Sequence, residues 1–263
     1  VPSLTYVASF QAIAATGAKP VACDVILETG FMDPVDAEKR ITSRTKALMP
    51  VHYASHSKGL KEIYELAKKH QLRVVEDAAH AFGCIYDGVK VGAKGDVICF
   101  SFDGIKNITS GEGGAIVTAD TLLAERMRDG RLLSVEKDTE NRFSGKRSWT
   151  FDVKNKGFRY HLSNIMAAIG REQLKKSKAM GEHRKACVAR YVDSFSNIQG
   201  LTLVSAANKE IVPHIFVARV DALYRNKLMA YLKENNIESG IHYQPNHLLS
   251  YFKTDYSLVN TET

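Results

Sequence analysis

The sequence predicts an α/β fold: a mostly parallel central sheet flanked by helices in a large domain, followed by a small α+β domain. Three observations predict it. Between residues 20 and 77, short apolar runs alternate with amphipathic stretches, and strands joined by helical crossovers pair in parallel. Between Val97 and Thr118, two apolar runs bracket a polar turn and a glycine cluster. Beyond about residue 180, strand runs are crossed by a single helix, the pattern of a smaller mixed domain.

Taken in order, Val1 to Tyr6 is an extended entry and Val7 to Thr16 an alanine-rich helix closed by Gly17. A strand is expected over Pro20 to Val25, a turn and short helix from Asp33-Pro34 to Arg40, and a strand over Ala47 to Tyr53 interrupted by Pro50. Gly59 to His70 places Leu60, Ile63 and Ala67 on one helical face, and Leu72 to Glu76 reads as a buried strand ending at Asp77. A helix follows from about Thr121 to Arg131, then a polar, irregular stretch from Leu133 to Lys156 holding the only tryptophan, Trp149. Ser163 is positioned to cap a helix running to Lys176. A separate helix is expected around Val188, Tyr191, Val192 and Phe195, which share one face. Strands are expected over Leu201 to Val204, His214 to Val220 and Ile237 to Tyr243, with a helix from Lys227 to Asn235. The domain boundary is expected between Ser177 and Glu182, giving a large domain over 1–180 and a small one over 181–263.

The 263 residues are 44% hydrophobic and 25% charged, ordinary values for a chain with a core. No apolar run approaches the ~20 residues of a membrane helix, and no signal-peptide pattern opens the chain. Cys23, Cys84, Cys99 and Cys187 are far apart and sit beside apolar residues, which reads as reduced core thiols of a cytoplasmic protein. The net charge of +7 raises the question of nucleic acid. The basic residues, however, are mixed with acids along amphipathic helices, and no basic block is interleaved with aromatics. Attraction to an anionic small molecule fits better.

The chemistry concentrates after two strands. Lys106 follows the Val97–Phe100 strand, with Ser101 five residues before it and Gly111-Glu112-Gly113-Gly114 just beyond. A lysine amine forms a Schiff base once its pKa is lowered, and a serine hydroxyl bonds a phosphate oxygen, so the pair suits a carbonyl cofactor carrying a phosphate. Asp77 ends another strand, where ligands of open α/β sheets bind. It could pair with a protonated ring nitrogen or cap the helix that follows. His80 could lean on a bound ring or be a satisfied core histidine.

Together, the segment VVEDAAHAFGCIYDGVKVGAKGDVICFSFDGIKNITSGEGGAIVT closely resembles the pyridoxal phosphate-dependent nucleotide-sugar aminotransferases of the DegT/StrS group, which have the type I aminotransferase fold. The resemblance extends upstream through VPSLTYVAS, GAKPVACDV and TKALMPVHY, and downstream through GFRYHLSNIMAAIGREQL and GIHYQPNHLLSYF. It implies that Lys106 would form the Schiff base with pyridoxal 5'-phosphate and that Asp77 would keep the pyridine nitrogen protonated. Ser101 would bond the phosphate, Tyr6 would set its ring against the cofactor, and His80 would lie beside the cofactor ring. Arg159 would reach the phosphate of a neighbouring subunit, implying a homodimer with shared sites. His52, His242 and His247 would border the substrate cleft. The implied reaction is ping-pong transfer of an amino group from L-glutamate to a 4-keto-6-deoxy sugar linked to a nucleotide, in surface polysaccharide or glycosylated metabolite biosynthesis. A 3-keto sugar or a keto-cyclitol is the alternative acceptor, and a catalytically silent relative the alternative class.

The chain departs from the family pattern in places. Relatives begin several dozen residues earlier and continue further, so this sequence reads as a fragment truncated at both ends. Ser55-His56-Ser57-Lys58 replaces a glycine-bearing turn, and Asp103 stands where several relatives have histidine. Other readings fare worse. A sibling group that removes a sugar hydroxyl has histidine in place of Lys106. A metal site on His52 and His56 lacks the expected glutamate and has Pro50 where a helix is needed. GEGG has neither the spacing nor the following helix of a dinucleotide-binding loop.

Overall fold

The computed structural model describes residues 1–135, 144–146, 151–205 and 208–262. Its central sheet has the order β1 (Ala47–Leu48), β2 (Arg73–Asp77), β5 (Val97–Ser101), β6 (Gly114–Val117). The first three strands are parallel, and β6 runs antiparallel to β5 with Ser101 opposite Gly114. The helix α3 (Leu60–Lys69) is the crossover between β1 and β2. It buries Leu60, Ile63, Leu66 and Ala67 against Phe31, Met32, Leu48 and Val74. Each large aliphatic fully enclosed there contributes about 1.5–3 kcal/mol.

The helix α1 (Val7–Ala15) lies near the end of β2, and α2 (Pro34–Lys39) is started by Asp33, whose side chain accepts the Val35 N–H, with Pro34 at the first position. The hairpin β3 (Ile85–Tyr86) and β4 (Val89–Lys90) turns through Asp87 and Gly88, both at positive φ. Asp-Gly is a strong hairpin signal in sequence. The helix α4 (Thr121–Gly130) follows β6, capped by Asp120.

Several expectations need correcting. The expected strand at Pro20 to Val25 makes only single bridges, Cys23 with Pro2 and Val25 with Met32. The strand expected over Ala47 to Tyr53 pairs only at Ala47–Leu48, with one further bridge from Val51 to Asp77, because Pro50 has no N–H to continue the ladder. The two helices expected on either side of 177–182 are one helix, α5 (Asn164–Phe195), of 32 residues. Ser163 caps it by accepting the Met166 N–H, as its position predicts. No proline interrupts α5, and Ser177 satisfies its hydroxyl on the Leu174 carbonyl, so the helix runs unbroken through 177–182. Beyond it, β7 (Leu201–Leu203) and β8 (Ala218–Val220) pair antiparallel and precede α6 (Ala222–Glu234). Ile237 to Tyr243 forms no strand, and the last helix is α7 (Val259–Glu262). Part of the irregular stretch from Leu133 to Lys156, including Trp149, lies outside the described residues. No helix among the described residues is long and apolar enough to cross a membrane.

Candidate active site

Parallel β2 and β5 end side by side, with Asp77 paired to Cys99, so their carboxyl ends present Asp77 and Ser101 on the same edge of the sheet. Asp77 is fixed from both oxygens. Ser9 Oγ donates to Oδ2 at 2.6 Å, and the Ala79 N–H donates to Oδ1 at 3.1 Å. Thr5 Oγ1 lies 2.9 Å from Ser9 Oγ, so the start of α1 braces the carboxylate through two hydroxyls.

Lys106 closes a turn in which its N–H donates to the Asp103 carbonyl at 3.1 Å. Its side chain is half-buried. Burial pushes its pKa below the ordinary lysine value, while the Asp77 and Asp103 carboxylates oppose that shift. Asp103 is itself held by the Ile105 N–H at 3.1 Å. Ser101 Oγ accepts the Asp103 N–H at 3.4 Å. The glycine cluster returns the chain to the sheet edge, where a Cβ on Gly114 would lie 2.5 Å from the Phe100 carbonyl oxygen.

An aromatic and imidazole wall completes the centre. His80 is buried; its Nε2 lies 3.2 Å from the Tyr243 hydroxyl, and its Nδ1 is enclosed without a partner among the described residues. Burial holds His80 neutral down to about pH 2, aided by His214, Lys106 and His242. The His214 ring stands 4.2 Å from the His80 ring, and burial, with Lys106 next in weight, lowers its pKa to about 3. Tyr6 precedes α1 and is 60% exposed, its ring 5.7 Å from that of Tyr243. Burial and the nearby Asp77 push the Tyr243 hydroxyl up to about 12. His242 is lowered by burial and by Lys106, and its carbonyl accepts the Tyr53 hydroxyl.

Three expected residues lie elsewhere. His52 is fully enclosed, with Ser57 Oγ at 2.9 Å on Nδ1 and Glu76 Oε2 at 2.7 Å on Nε2. His247 is likewise interior, between Ser3 Oγ at 2.7 Å and Glu262 at 2.9 Å. Both rings have both nitrogens engaged by neighbouring side chains, and neither offers one to a ligand. Arg159 is exposed, on a segment whose backbone bridges to Leu132. Sequence reasoning missed Ser9, Thr5, Asn107, His214 and Tyr243. Of these, Thr5, which precedes Tyr6, Asn107, adjacent to the lysine, and Tyr243, beside His242, stood next to a residue already singled out, whereas Ser9 and His214 did not.

Fold and cluster together define an α/β enzyme whose chemistry sits at the carboxyl ends of β2 and β5. The sequence profile of the DegT/DnrJ/EryC1/StrS aminotransferase family matches residues 1–263, and the chain belongs to that family of pyridoxal phosphate-dependent aminotransferases. The uncharacterized protein MJ1066 of Methanocaldococcus jannaschii is 36% identical over 259 residues, covering 96% of this chain and 67% of that protein. Among solved structures, S. venezuelae DesV in complex with a ketimine intermediate is 34% identical with a TM-score of 0.88, over 100% of this chain and 69% of that one. Helicobacter pylori PseC, an aminotransferase involved in the biosynthesis of pseudoaminic acid, is 28% identical with a TM-score of 0.90, over 99% and 70%.

Proposed function

We propose that this protein transfers an amino group from L-glutamate to the keto group of a nucleotide-linked 4-keto-6-deoxy sugar, using Lys106 as the cofactor lysine. The observation that carries the assignment is the half-buried Lys106 amine, with its lowered pKa, set among Asp77, Asp103 and a neutral His80. The residues fit pyridoxal phosphate: the amine suits its carbonyl, the doubly anchored Asp77 suits its ring nitrogen, and the unpartnered His80 Nδ1 calls for a polar neighbour. The sugar acceptor is supported by relatives such as PseC, and by DesI, which was solved in the presence of its TDP-sugar product.

When bound, pyridoxal phosphate supplies a carbonyl that takes the donor amine and a ring that accepts the electron pair left on the substrate carbon. Asp77 holds a proton on the ring nitrogen, and Ser9 and the Ala79 N–H keep the carboxylate oriented. Ser101 binds the phosphate, and Tyr6 and His80 flank the ring. Lys106 would move a proton at Nζ as general base and then general acid, a role that a lowered pKa favours near neutrality. Arg159 reaches toward a second copy of the chain in a homodimer, and His242 lies on the substrate side.

The test is an absorption spectrum with pyridoxal phosphate, before and after L-glutamate, on the protein and on Lys106→Ala. A yellow band that shifts with glutamate and is lost in the variant supports the assignment. A protein that stays colourless at saturating cofactor overturns it. Keto-sugar nucleotides offered as a panel then identify the acceptor.

A further inference from the structure

His214 lies 107 residues beyond the lysine turn, yet it is built into the centre. It rides on the segment 208–217 ahead of β8, which is tied down at several points. Glu210 accepts the Ile85 N–H at 2.7 Å, the Val212 N–H meets Cys84 Sγ at 3.2 Å, and Arg184 of α5 donates to the carbonyls of Pro213 and His214 at 3.3 and 3.0 Å. The His214 N–H donates to Ser55 Oγ at 3.1 Å, and the same hydroxyl donates to the His80 carbonyl at 2.5 Å. Ser55 is buried at φ 72°, a left-handed conformation disfavoured for a residue with a Cβ. Its hydroxyl joins two segments, which gives serine a purpose at a turn where glycine would sit without strain.

The side chain of His214 has a defined role in the same network. Asn107 donates its amide nitrogen to the carbonyls of Val212 at 3.0 Å and Phe82 at 3.4 Å, which fixes the amide orientation. Its Oδ1 therefore faces His214 Nδ1 at 3.2 Å, and an amide oxygen only accepts, so Nδ1 carries the proton. The opposite face of the imidazole packs on the His80 ring at 4.2 Å. Asn107 directly follows Lys106, and the charged and titratable groups acting on His214 are Lys106, Arg184, His242 and Asp103.

We propose that His214 is a positioning residue of the aminotransferase centre: through Asn107 it fixes the turn that carries Lys106, and through its ring it fixes His80. The proposal rests on Lys106 being the cofactor lysine, so Lys106→Ala accompanies every measurement.

The holoenzyme is compared with His214→Leu, His214→Asn, Asn107→Leu and the double Leu variant. The readouts are pyridoxal phosphate dissociation and the pH midpoint of the bound cofactor's absorbance. Losing one buried hydrogen bond corresponds to about a tenfold loss of affinity. That loss and a shifted midpoint are expected for each single Leu variant. The double variant is no worse than Asn107→Leu alone, which removes the shared contact together with the amide's own bonds to Val212 and Phe82. His214→Asn, whose amide nitrogen can replace Nδ1–H, recovers most of both readouts. An unchanged midpoint and affinity in His214→Leu, additive losses in the double variant, or no recovery in His214→Asn overturns the proposal. If the Leu variants do not fold, nitrogen NMR of the histidines decides: His214 in the Nδ1–H tautomer is expected, and the Nε2–H tautomer overturns it. A normal cofactor spectrum in Lys106→Ala instead removes the lysine assignment itself.

Discussion

Ser9 Oγ donates to Asp77 Oδ2 at 2.6 Å, joining the first helix of the chain to the end of β2 across 68 residues. The carboxylate accepts this bond and the Ala79 N–H, so its position is set before any ligand arrives. A hydrogen bond to a charged group contributes about 1.5–3 kcal/mol. Ser9→Ala is therefore expected to weaken pyridoxal phosphate binding by about ten- to a hundredfold. Ser9→Thr keeps the hydroxyl and is expected to retain most of the affinity. Titration of the cofactor's absorbance measures both, and wild-type affinity in Ser9→Ala would show that Asp77 stands without this support.

Burial of His80 and His214 ties stability to pH. Both have folded pKa values below the ordinary histidine value of 6.5, at about 2 and about 3. Between the folded and unfolded values, the unfolded chain binds more protons than the folded one, so stability rises with pH and levels off above about 6.5. His56 and His242 are lowered in the same direction. The carboxylates with depressed pKa, Asp36, Glu38, Asp96 and Glu262, lose their contribution only at more acid pH, so the window from 5.5 to 7.5 isolates the histidines. At pH 5.5, the two buried imidazoles together cost about 3 kcal/mol. Urea unfolding of the cofactor-free protein is expected to show that drop, with a shallower slope in His80→Asn. A flat profile across the window would remove the claim that these rings are held neutral.

What the sequence could reveal follows from how local each signal is. Lys106, Ser101 and the glycine cluster occupy one strand–turn–strand unit, and Asp77 ends an apolar run, so residue order alone locates them. The face of α3 is equally local, since its periodicity reports which side meets the core. Ser9 and His214 reach the site only through the fold, because their partners are 68 and 107 residues away. The division of α5 into two helices failed for a different reason. Its apolar spacing changes along the helix, and the hydrogen-bonded ladder continues where the exposed face simply becomes polar. The resemblance put His52 at the substrate cleft, and residue order alone does not show that the ring is buried against the core. Its partner, Glu76, lies one residue before Asp77 and faces the other side of the strand.

That core pairing carries its own prediction. His52 Nε2 and the Tyr64 hydroxyl both bond Glu76, at 2.7 and 2.6 Å, with His52 and Glu76 buried and Tyr64 partly so. His52→Leu leaves Glu76 with Tyr64 alone. Leaving a buried hydrogen-bonding group unsatisfied costs about 1–3 kcal/mol, so urea unfolding is expected to show a loss of that size. The KM for the acceptor sugar, measured on the folded fraction, stays near the wild-type value. A raised KM with unchanged stability would instead place His52 on the substrate cleft.

The turn after Lys106 depends on close approach rather than on flexibility. Gly114 pairs with Ser101, and a Cβ there would sit 2.5 Å from the Phe100 carbonyl oxygen. Backbone on both sides is held in the ladder, so neither can yield without opening the β5–β6 register. Gly114→Ala is expected to cost about 1–3 kcal/mol from overpacking. It should also loosen phosphate binding, because the strand it displaces carries Ser101. Gly130 ends α4, and a Cβ there meets nothing within 4 Å. Gly130→Ala is expected to be neutral or to stabilise by up to about 1 kcal/mol, from its helical preference. Thermal melting of the two variants side by side separates the mechanisms: a glycine kept for flexibility would make both harmful, whereas a glycine kept for space makes only Gly114→Ala so.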